Sequence, residues 1–285
     1  MKVLKLIALI FLVAAAAIVA AAMIYGRRAP ALPADSSAFV FKKGMLWASV
    51  DGRAAALIDS GTSRSVFPKD WSTLGEAEGS QRISTPLGES RLPVRRMRPS
   101  KIGGIAFEGS VFAGDVPYPI IGNDFIFSKG NVLFSRTGLE FDVSYAPEDA
   151  IACVPLVIGY SGNTTSSPVE SIHLLLEIDG AQQKVYFDTG MAAALMATAS
   201  APQSATKLFP RMDLQHNSFG KWALAAYFYR EASLSLGDRS KSLPYRHYYT
   251  DNSWGVPFVM GAGILKEYSI VFEPRKGRAC FYEPR

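Results

Sequence analysis

Short apolar runs, many of them alternating with polar residues, make up most of the chain from residue 38 onward. Glycine (24 residues) and proline (17 residues) punctuate these runs, and few stretches repeat with the period of a helix. Because alternation with a period of two is typical of strands, the pattern predicts a mainly β fold. Apart from the amino terminus, short helices are predicted only at residues 123–129 and 262–268.

Two six-residue segments repeat each other. Residues 57–62 read Leu-Ile-Asp-Ser-Gly-Thr, and residues 186–191 read Tyr-Phe-Asp-Thr-Gly-Met. In each segment an aspartate ends an apolar run, and a small hydroxyl residue and a glycine follow, so we expect the carboxylate to leave a strand on a tight turn. Asp59 and Asp188 lie 129 positions apart. Two such segments indicate half-sites that bring a pair of carboxylates together.

Other landmarks repeat around these segments in the same order. An Asp-Gly pair, typical of a two-residue hairpin turn, precedes each aspartate at residues 51–52 and 179–180. Later, residues 120–126 (Ile-Ile-Gly-Asn-Asp-Phe-Ile) match residues 259–265 (Val-Met-Gly-Ala-Gly-Ile-Leu). Both aspartates are therefore expected on the second strand of a hairpin, ahead of an apolar-apolar-Gly motif.

The repeat divides the chain into two homologous lobes. A further pair of apolar runs, residues 132–134 and 270–272, keeps the same order and a nearly constant offset. We predict a first lobe at residues 38–145 and a second lobe at 169–285. A linker rich in serine and threonine, residues 146–168, joins them.

The repeated pattern resembles the aspartic proteases of the pepsin and retropepsin type. That family has an apolar-apolar-Asp-(Ser/Thr)-Gly turn, a flap hairpin, an apolar-apolar-Gly motif before a short helix, and a last strand. Residues 57–62 and 120–126 match it closely, whereas residues 186–190 and 259–272 match it more loosely. The resemblance implies two retropepsin-like β-barrel lobes with an active-site cleft between them. It also implies an aspartic endopeptidase that acts as a monomer, a single-chain version of the retroviral homodimer.

The chemistry of that family requires two carboxylates. By resemblance, Asp59 and Asp188 are the catalytic pair that activates a water molecule by general acid/base catalysis. Two carboxylates about 3 Å apart cannot both ionise, so they share one proton, which the sequence does not assign to either. No cofactor or metal is expected, and the three histidines, His173, His216 and His247, are not spaced like metal ligands.

Four further residues match positions that support the pair. Ser60 and Thr189 match hydroxyls that, in the family, form hydrogen bonds with the opposite turn. Gly61 and Gly190 are expected to let the backbone approach closely where a side chain would clash.

One position departs from the family pattern. The residue after the glycine is usually Ser, Thr or Ala, and the first lobe has Thr62, but the second has Met191. A hydroxyl there can donate a hydrogen bond to the outer oxygen of its aspartate, whereas a thioether cannot. We therefore predict an asymmetric pair whose shared proton is held more tightly, and an activity optimum nearer neutral than that of gastric enzymes.

A hairpin in each lobe is expected to close over the substrate as a flap. The flap residues predicted for the first lobe are Thr85, Pro86, Leu87 and Gly88, with the turn near Leu87-Gly88. Those predicted for the second lobe are Asn217, Ser218, Phe219 and Gly220. Ordinary surface hairpins are the alternative interpretation.

Residues 1–28 predict a membrane anchor. Within them, residues 6–25 carry no charge and would span about 30 Å as a helix. A cleavable signal peptide is the alternative, although its apolar region would be longer than usual. We predict an uncleaved signal anchor and a tether at residues 29–37. The protease domain would then be extracytoplasmic, on the periplasmic side of a bacterial inner membrane.

Charge and cysteine content restrict the remaining partners. The net charge of +5 is modest, and nucleic-acid binding lacks the basic and aromatic pattern that supports it. The basic residues between 91 and 101 indicate either a surface for anionic lipid or acidic substrate, or a solvated strand edge. Cys153 and Cys280 are compatible with one disulfide in an oxidising compartment or with two free thiols.

Two other classes of function stay open at this level. A non-catalytic peptide-binding or scaffold protein, anchored at the membrane, would keep the cleft and lose turnover, as the bulk of Met191 suggests. Binding of a small ligand has no positive feature in its favour. In the protease and in the scaffold alike, an extended protein or peptide would bind in the cleft by strand addition.

Overall fold

The computed structural model describes residues 29–32, 39–85, 88–160, 169–198, 211–216, 222–248 and 255–285. Residues 1–28, where the sequence predicts a membrane anchor, lie outside this part of the chain, as does most of the predicted tether. Within the described residues, no helix has the length and apolar character needed to cross a membrane.

Strands carry most of the described chain. Those of the first half are β1 (Phe39–Lys42), β2 (Met45–Val50), β3 (Ala54–Ile58), β4 (Val66–Pro68), β5 (Leu74–Thr85), β6 (Gly88–Ile102), β7 (Ile105–Gly114), β8 (Ile120–Ile121), β9 (Val132–Ser135) and β10 (Gly138–Phe141). Those of the second half are β11 (Ala152–Tyr160), β12 (Val169–Ile178), β13 (Ala181–Asp188), β14 (Leu195–Ala197), β15 (Arg211–His216), β16 (Trp222–Leu236), β17 (Arg239–Tyr248), β18 (Phe258–Gly261), β19 (Ser269–Glu273) and β20 (Arg278–Tyr282).

The helices are short. Helix α1 covers Asn123–Ile126, the first part of the predicted helix at 123–129, and a 3-10 helix at Ala262–Lys266 replaces the second predicted helix. Further 3-10 turns lie at Pro147–Asp149 and Pro274–Lys276.

The strands form two sheets. The first has the order β1-β2-β3-β8-β4-β7-β6-β5, and the second has the order β10-β9-β19-β20-β11-β12-β13-β18-β14-β17-β16-β15. The mainly β class predicted from alternation is thereby confirmed, and two sheets are consistent with two lobes.

Both predicted Asp-Gly turns are confirmed. Asp51 and Gly52 turn the chain between β2 and β3 with φ angles of 52° and 68°, and Arg53 makes this connection one residue longer than the predicted two-residue turn. Asp179 and Gly180 join β12 to β13 with φ angles of 53° and 76°. Positive φ at both central residues is the turn geometry whose twist matches that of two antiparallel strands.

The two halves share one topology around their aspartates. β3 lies parallel to β8, as β13 lies parallel to β18. β4 pairs in parallel with β7 and antiparallel with β8, and β14 pairs in the same two ways with β17 and β18. The repeat found in the sequence is therefore a repeat of structure.

A joint sheet connects the two halves. β9 of the first half pairs antiparallel with β19 of the second, with Leu133 opposite Val271. These strands contain the two apolar runs that the sequence repeat matches to each other. Because the second sheet continues from β19 through β20 into β11, backbone hydrogen bonds fix one half against the other.

Aromatic side chains continue the core between the halves. Phe187, which precedes Asp188, lies with its ring centroid 5.3 Å from that of Phe134 and 4.8 Å from that of Phe272. All three rings are fully buried. Since Phe134 belongs to the first half and the others to the second, this packing holds the strand that ends at Asp188 against both.

The predicted linker, residues 146–168, is in part a strand. Its segment Ala152–Tyr160 forms β11, which pairs with β20 and β12, while residues 161–168 lie outside the described chain. Cys153 lies opposite Cys280 in the β11–β20 pair, and their sulfurs form a disulfide. The partner strand is more than a hundred residues away, so local composition did not reveal it.

Candidate active site

The structure brings Asp59 and Asp188 together, each against the glycine of the opposite turn. A Cβ atom on Gly61 would lie 2.6 Å from Cγ of Asp188. A Cβ atom on Gly190 would lie 2.7 Å from Cγ of Asp59. Such distances leave no room for a side chain, so only glycine permits this approach of the two carboxyl groups.

The two turns hold their carboxylates in the same way. The Gly61 N–H donates to Oδ1 of Asp59 at 2.9 Å, and the Gly190 N–H donates to Oδ1 of Asp188 at 2.9 Å. Each carboxylate is therefore oriented by its own turn, which leaves the other oxygen for further contacts.

Reciprocal hydrogen bonds lock the turns to each other. The backbone N–H of Ser60 donates to Oγ1 of Thr189 at 3.0 Å, and the N–H of Thr189 donates to Oγ of Ser60 at 3.0 Å. The two hydroxyls then donate in turn, Thr189 to the carbonyl of Ile58 at 2.9 Å and Ser60 to the carbonyl of Phe187 at 3.0 Å. All of these groups are buried, so the lock satisfies backbone atoms that would otherwise lack partners.

The surroundings of the two aspartates differ. Oγ1 of Thr62 lies 3.4 Å from the outer oxygen, Oδ2, of Asp59. Met191, at the matching position beside Asp188, packs instead on a buried cluster that includes Tyr186 and Val259. The thioether donates no hydrogen bond, so the outer side of Asp188 lacks the hydroxyl that Asp59 has.

This asymmetry agrees with the electrostatics of the pair. Burial, and after it the negative charge of Asp59, raise the pKa of Asp188 well above its ordinary value, and the Gly190 N–H opposes them only in part. Two adjacent carboxyl groups in this setting cannot readily both ionise, so the pair is expected to share one proton.

Sequence reasoning did not select two tyrosines that belong to the site. The hydroxyl of Tyr186 donates to the carbonyl of Gly61 at 3.0 Å, across the junction of the turns. Burial, followed by the charge of Asp59, raises the pKa of Tyr118, which places that phenol within the field of the site. The available signal for Tyr186 was its position two residues before Asp188, which puts both on one face of β13.

The apolar-apolar-Gly motif of the first half, with the asparagine that follows it, packs against the turn that carries Asp59. Nδ2 of Asn123 donates to the carbonyl of Ser60 at 2.9 Å, and the Asn123 N–H donates to the carbonyl of Thr62 at 2.8 Å. A Cβ atom on Gly122 would lie 2.7 Å from the same Thr62 carbonyl. The glycine of the motif is thus required by close contact with the active-site turn.

Asp124 is a buried carboxylate that anchors the end of this turn. Its Oδ1 accepts hydrogen bonds from the backbone N–H and the hydroxyl of Ser65, at 2.9 and 2.7 Å, and from the N–H of Phe125 at 3.0 Å. Its Oδ2 has no partner among the described residues. Burial is the largest influence and raises the pKa of Asp124 from 3.8 to about 6, against these hydrogen bonds and the charge of Arg64.

Replacement of this carboxylate should change how stability depends on pH. A folded pKa of about 6 above an unfolded value of 3.8 means that Asp124 destabilises the fold increasingly from pH 4 to pH 6 and by a constant amount above. The amide oxygen of Asp124→Asn can still accept from Ser65. We expect the variant to gain, relative to its effect at pH 4, about 2 kcal/mol of unfolding free energy at pH 8. Urea unfolding at pH 4, 6 and 8 measures this, and an effect independent of pH would contradict it.

The predicted flap hairpins exist, but their tips lie outside the described chain. β5 and β6 pair as far as Thr85 opposite Gly88, and Pro86 and Leu87 between them are not among the described residues. β15 and β16 pair as far as His216 opposite Trp222. The second predicted tip, Asn217, Ser218, Phe219 and Gly220, is not among the described residues. A role for these hairpins as flaps stays a prediction.

Histidines and acidic residues form no metal site in the described part of the chain. His173 lies against the ring of Tyr186 at a centroid distance of 5.3 Å, and burial lowers its pKa to about 4. Burial also lowers the pKa of His247, which lies in the core beside Tyr245. Both side chains are therefore neutral near pH 7 and are packing residues.

Comparisons with known proteins give no family for the chain. A scan of protein-family models finds no match, and a search of curated proteins finds none either. A function for this protein therefore has to be argued from the geometry of the two turns.

Proposed function

We propose that the chain is an aspartic endopeptidase with two retropepsin-like lobes and Asp59 and Asp188 as its catalytic pair. The observation that carries this proposal is the reciprocal lock between Ser60 and Thr189, which presents each carboxyl group to the glycine of the opposite turn. A purely structural turn has no need to bury two carboxylates against each other, because that arrangement disfavours ionisation.

The asymmetry of the site assigns the roles in this proposal. Asp188, with its raised pKa, holds the proton and donates it to the carbonyl oxygen of the scissile peptide bond. Asp59, with Thr62 beside its outer oxygen, is the anion that removes a proton from the attacking water. The water oxygen bonds to the carbonyl carbon and gives a tetrahedral intermediate. The C–N bond then breaks as Asp59 passes the proton it took from water to the nitrogen, and a hydroxyl of the intermediate returns a proton to Asp188.

Direct attack by water gives the proposal a chemical test. Purified full-length protein is incubated with a peptide library in water enriched in ¹⁸O, and the products are analysed by mass spectrometry. We expect new termini at defined peptide bonds, with solvent oxygen in the new carboxyl group and no covalent acyl-enzyme under denaturing conditions. A trapped acyl-enzyme, or cleavage that continues after both aspartates are replaced, would contradict an aspartic mechanism.

The residue at position 191 should set the alkaline limit of activity. In Met191→Thr, a hydroxyl beside Asp188 would favour its anion and lower the pKa of that carboxyl group. Because the protonated form is the active one, we expect the alkaline limb of the pH profile of kcat/KM to move to lower pH. An unchanged limb would contradict this assignment of the proton, and a wild-type optimum below about pH 3 would contradict the predicted shift towards neutral.

A scaffold that binds peptides without cleaving them is the second candidate. The packing of Met191 on the buried cluster that includes Tyr186 and Val259 favours it, because an apolar side chain stands where the first turn has the hydroxyl of Thr62. Peptide binding without cleavage at any pH between about 3 and 8 would support the scaffold over the protease.

The proposed setting is outside the cytoplasm, with the chain as a monomer. The disulfide between Cys153 and Cys280 supports an oxidising compartment, where such bonds persist. One chain supplies both aspartates, so catalysis requires no second copy. Membrane attachment through residues 1–28 and a periplasmic location stay parts of the proposal, as does the choice of proteins or peptides as substrates.

A further inference from the structure

A cluster of arginines and tyrosines lies on one sheet face of the second lobe. Cζ of Arg246, on β17, lies 5.0 Å from the ring centroid of Tyr227 and 5.8 Å from that of Tyr229, both on β16. Cζ of Arg211, on β15, lies 5.0 Å above the same Tyr229 ring. Arg246 also donates to the hydroxyl of Tyr248 at 3.5 Å. We name these five residues the arginine-tyrosine cluster.

Strand register connects the cluster to the catalytic pair. Tyr186 shares a face of β13 with Asp188, and its partner on β18 is Val259. The partner of Val259 on β14 is Met196, and the partner of Met196 on β17 is Arg246. Arg246 is therefore three strands from Tyr186 on the same face, a backbone distance on the order of 14 Å.

Side-chain packing makes that connection continuous. A single buried cluster contains Tyr186, Met196, Val256 and Val259 together with Tyr227 and Tyr248, and Met191 packs against it. Packed side chains thus run from Tyr186, two residues before Asp188, to two tyrosine rings that contact Arg246.

The first lobe has apolar residues at the matched positions. The corresponding register runs through Ile120, Val66, Phe112 and Val94. Phe112 therefore stands where the second lobe has Arg246. Arg64 does lie over Phe112, at 5.2 Å, but it comes from the active-site turn beside Asp124 rather than from the sheet face. A guanidinium group is therefore present at this place in the first lobe too, but a turn supplies it and it lies over a phenylalanine ring rather than over tyrosines.

The chemistry of the cluster suits an anion. A guanidinium group stacked on a ring uses its flat face and keeps N–H donors in its plane, in the fork that matches a carboxylate. The guanidinium groups of Arg211 and Arg246 both lie near the ring of Tyr229, a residue that is 43% exposed. The hydrogen bond with Tyr227, followed by the charge of Arg246, lowers the pKa of Tyr229, as expected where the potential is positive.

We propose that the arginine-tyrosine cluster is a substrate subsite that binds an acidic side chain. This inference rests on the proposed function, because it requires an extended peptide to bind in the cleft between the lobes. At about 3.3 Å per residue, such a peptide covers 14 Å in about four residues. The acidic residue is therefore expected within about four positions of the scissile bond, on the side held by the second lobe.

Paired peptides test the subsite by binding and by cleavage. The two peptides of a pair are identical except that one carries Glu and the other Gln at a single position. That position is one of the four on either side of a bond that the protein cleaves. If the protein cleaves no bond, the positions are counted from the centre of a bound peptide. Binding is measured by fluorescence anisotropy with full-length Asp188→Asn, and kcat/KM is measured with the wild type. We expect at least one position on one side where Glu is preferred over Gln by about tenfold or more, as for a charge-assisted hydrogen bond.

Three variants separate the role of Arg246 from a general effect of charge. Arg246→Gln should abolish the preference for Glu and leave the Gln peptide bound as before. Arg246→Lys keeps the charge but not the stacked plane, and should keep only part of the preference. Arg239→Gln is the matched control, because Arg239 lies on the same strand but pairs with Glu283 on the surface. Circular dichroism confirms that each variant is folded.

The outcomes distinguish the subsite from the proposed function. Cleavage with no preference for Glu at any position overturns the subsite and leaves the protease proposal intact. Binding that prefers Glu and depends on Arg246, without cleavage by the wild type, supports the subsite and overturns the protease proposal. A preference that persists in Arg246→Gln overturns the assignment to this cluster, and absence of both binding and cleavage overturns both proposals.

Discussion

Replacement of either proposed catalytic aspartate by asparagine is expected to abolish peptide hydrolysis. In the proposed mechanism, Asp59→Asn removes the base that takes a proton from water, and Asp188→Asn removes the acid that protonates the carbonyl oxygen. Since positioned general acids and bases contribute 10²- to 10⁴-fold each, we expect kcat/KM to fall at least about 10³-fold in either variant. The measurement is cleavage of the best peptide from the library across pH 3–8, because a shifted optimum would otherwise mimic a loss.

The stability of the variant and a control substitution at an exposed aspartate complete that test. Asp188 resists ionisation in its buried site, so its replacement by a neutral amide should leave the fold intact at pH 7. Asp238→Asn is the control, because Asp238 lies exposed in the turn between β16 and β17. Full activity in Asp188→Asn would contradict a single-chain pair, and a dimer that uses Asp59 from two copies would then be the explanation to examine.

Removal of one hydroxyl from the lock between the turns is expected to destabilise the protein and to inactivate it. Thr189→Val keeps the shape of the side chain but leaves the Ser60 N–H and the Ile58 carbonyl without their buried partner. Each unsatisfied group costs about 1–3 kcal/mol, so the free energy of unfolding should fall by about 2–5 kcal/mol. Activity should fall even at temperatures where the variant is folded, because the carboxyl groups lose their fixed approach.

A double-mutant cycle with Ser60→Ala shows whether the two hydroxyls act as one unit. We expect the double variant to lose clearly less stability than the sum of the single losses, since each replacement already breaks the shared lock. Ser135→Ala is the control, because Ser135 is a buried hydroxyl that donates within its own hairpin, to the carbonyl of Gly138. Additive losses for Ser60 and Thr189, with activity retained, would mean that the lock does not position the catalytic pair.

Local features of the structure followed from the sequence because turn chemistry and periodicity operate over a few residues. The Asp-Gly pairs predicted both hairpin turns, and the repeated Asp-(Ser/Thr)-Gly segments predicted that Asp59 and Asp188 end strands on tight turns. The order of the matched segments also predicted the repeat of topology, since equivalent segments of a repeat form equivalent structure. The close approach of Gly61 and Gly190 to the opposite carboxyl groups agrees with what the resemblance implied.

Side-chain environments that arise from distant contacts did not follow in this way. Asp124 reads in the sequence as one more polar residue, and only its burial against Ser65 makes it a carboxylate with a raised pKa. Met191 stood out as a departure from the family pattern, but its packing on the buried cluster that includes Tyr186 and Val259 became visible only in the fold. Arg246 showed no sequence signal, because its place in the arginine-tyrosine cluster depends on the register of β17 against β14 and β16.

The sequence by itself determined the mainly β class, the twofold repeat and the pair of aspartates, because each is written in residues that lie close together along the chain. The tertiary structure decided that β9 pairs with β19, that Cys153 meets Cys280, and that the two turns lock face to face. These contacts join residues more than a hundred positions apart. Their formation depends on the packing of the whole core, in which each strand finds its partner by burying a shared apolar surface, and no local pattern specifies that choice.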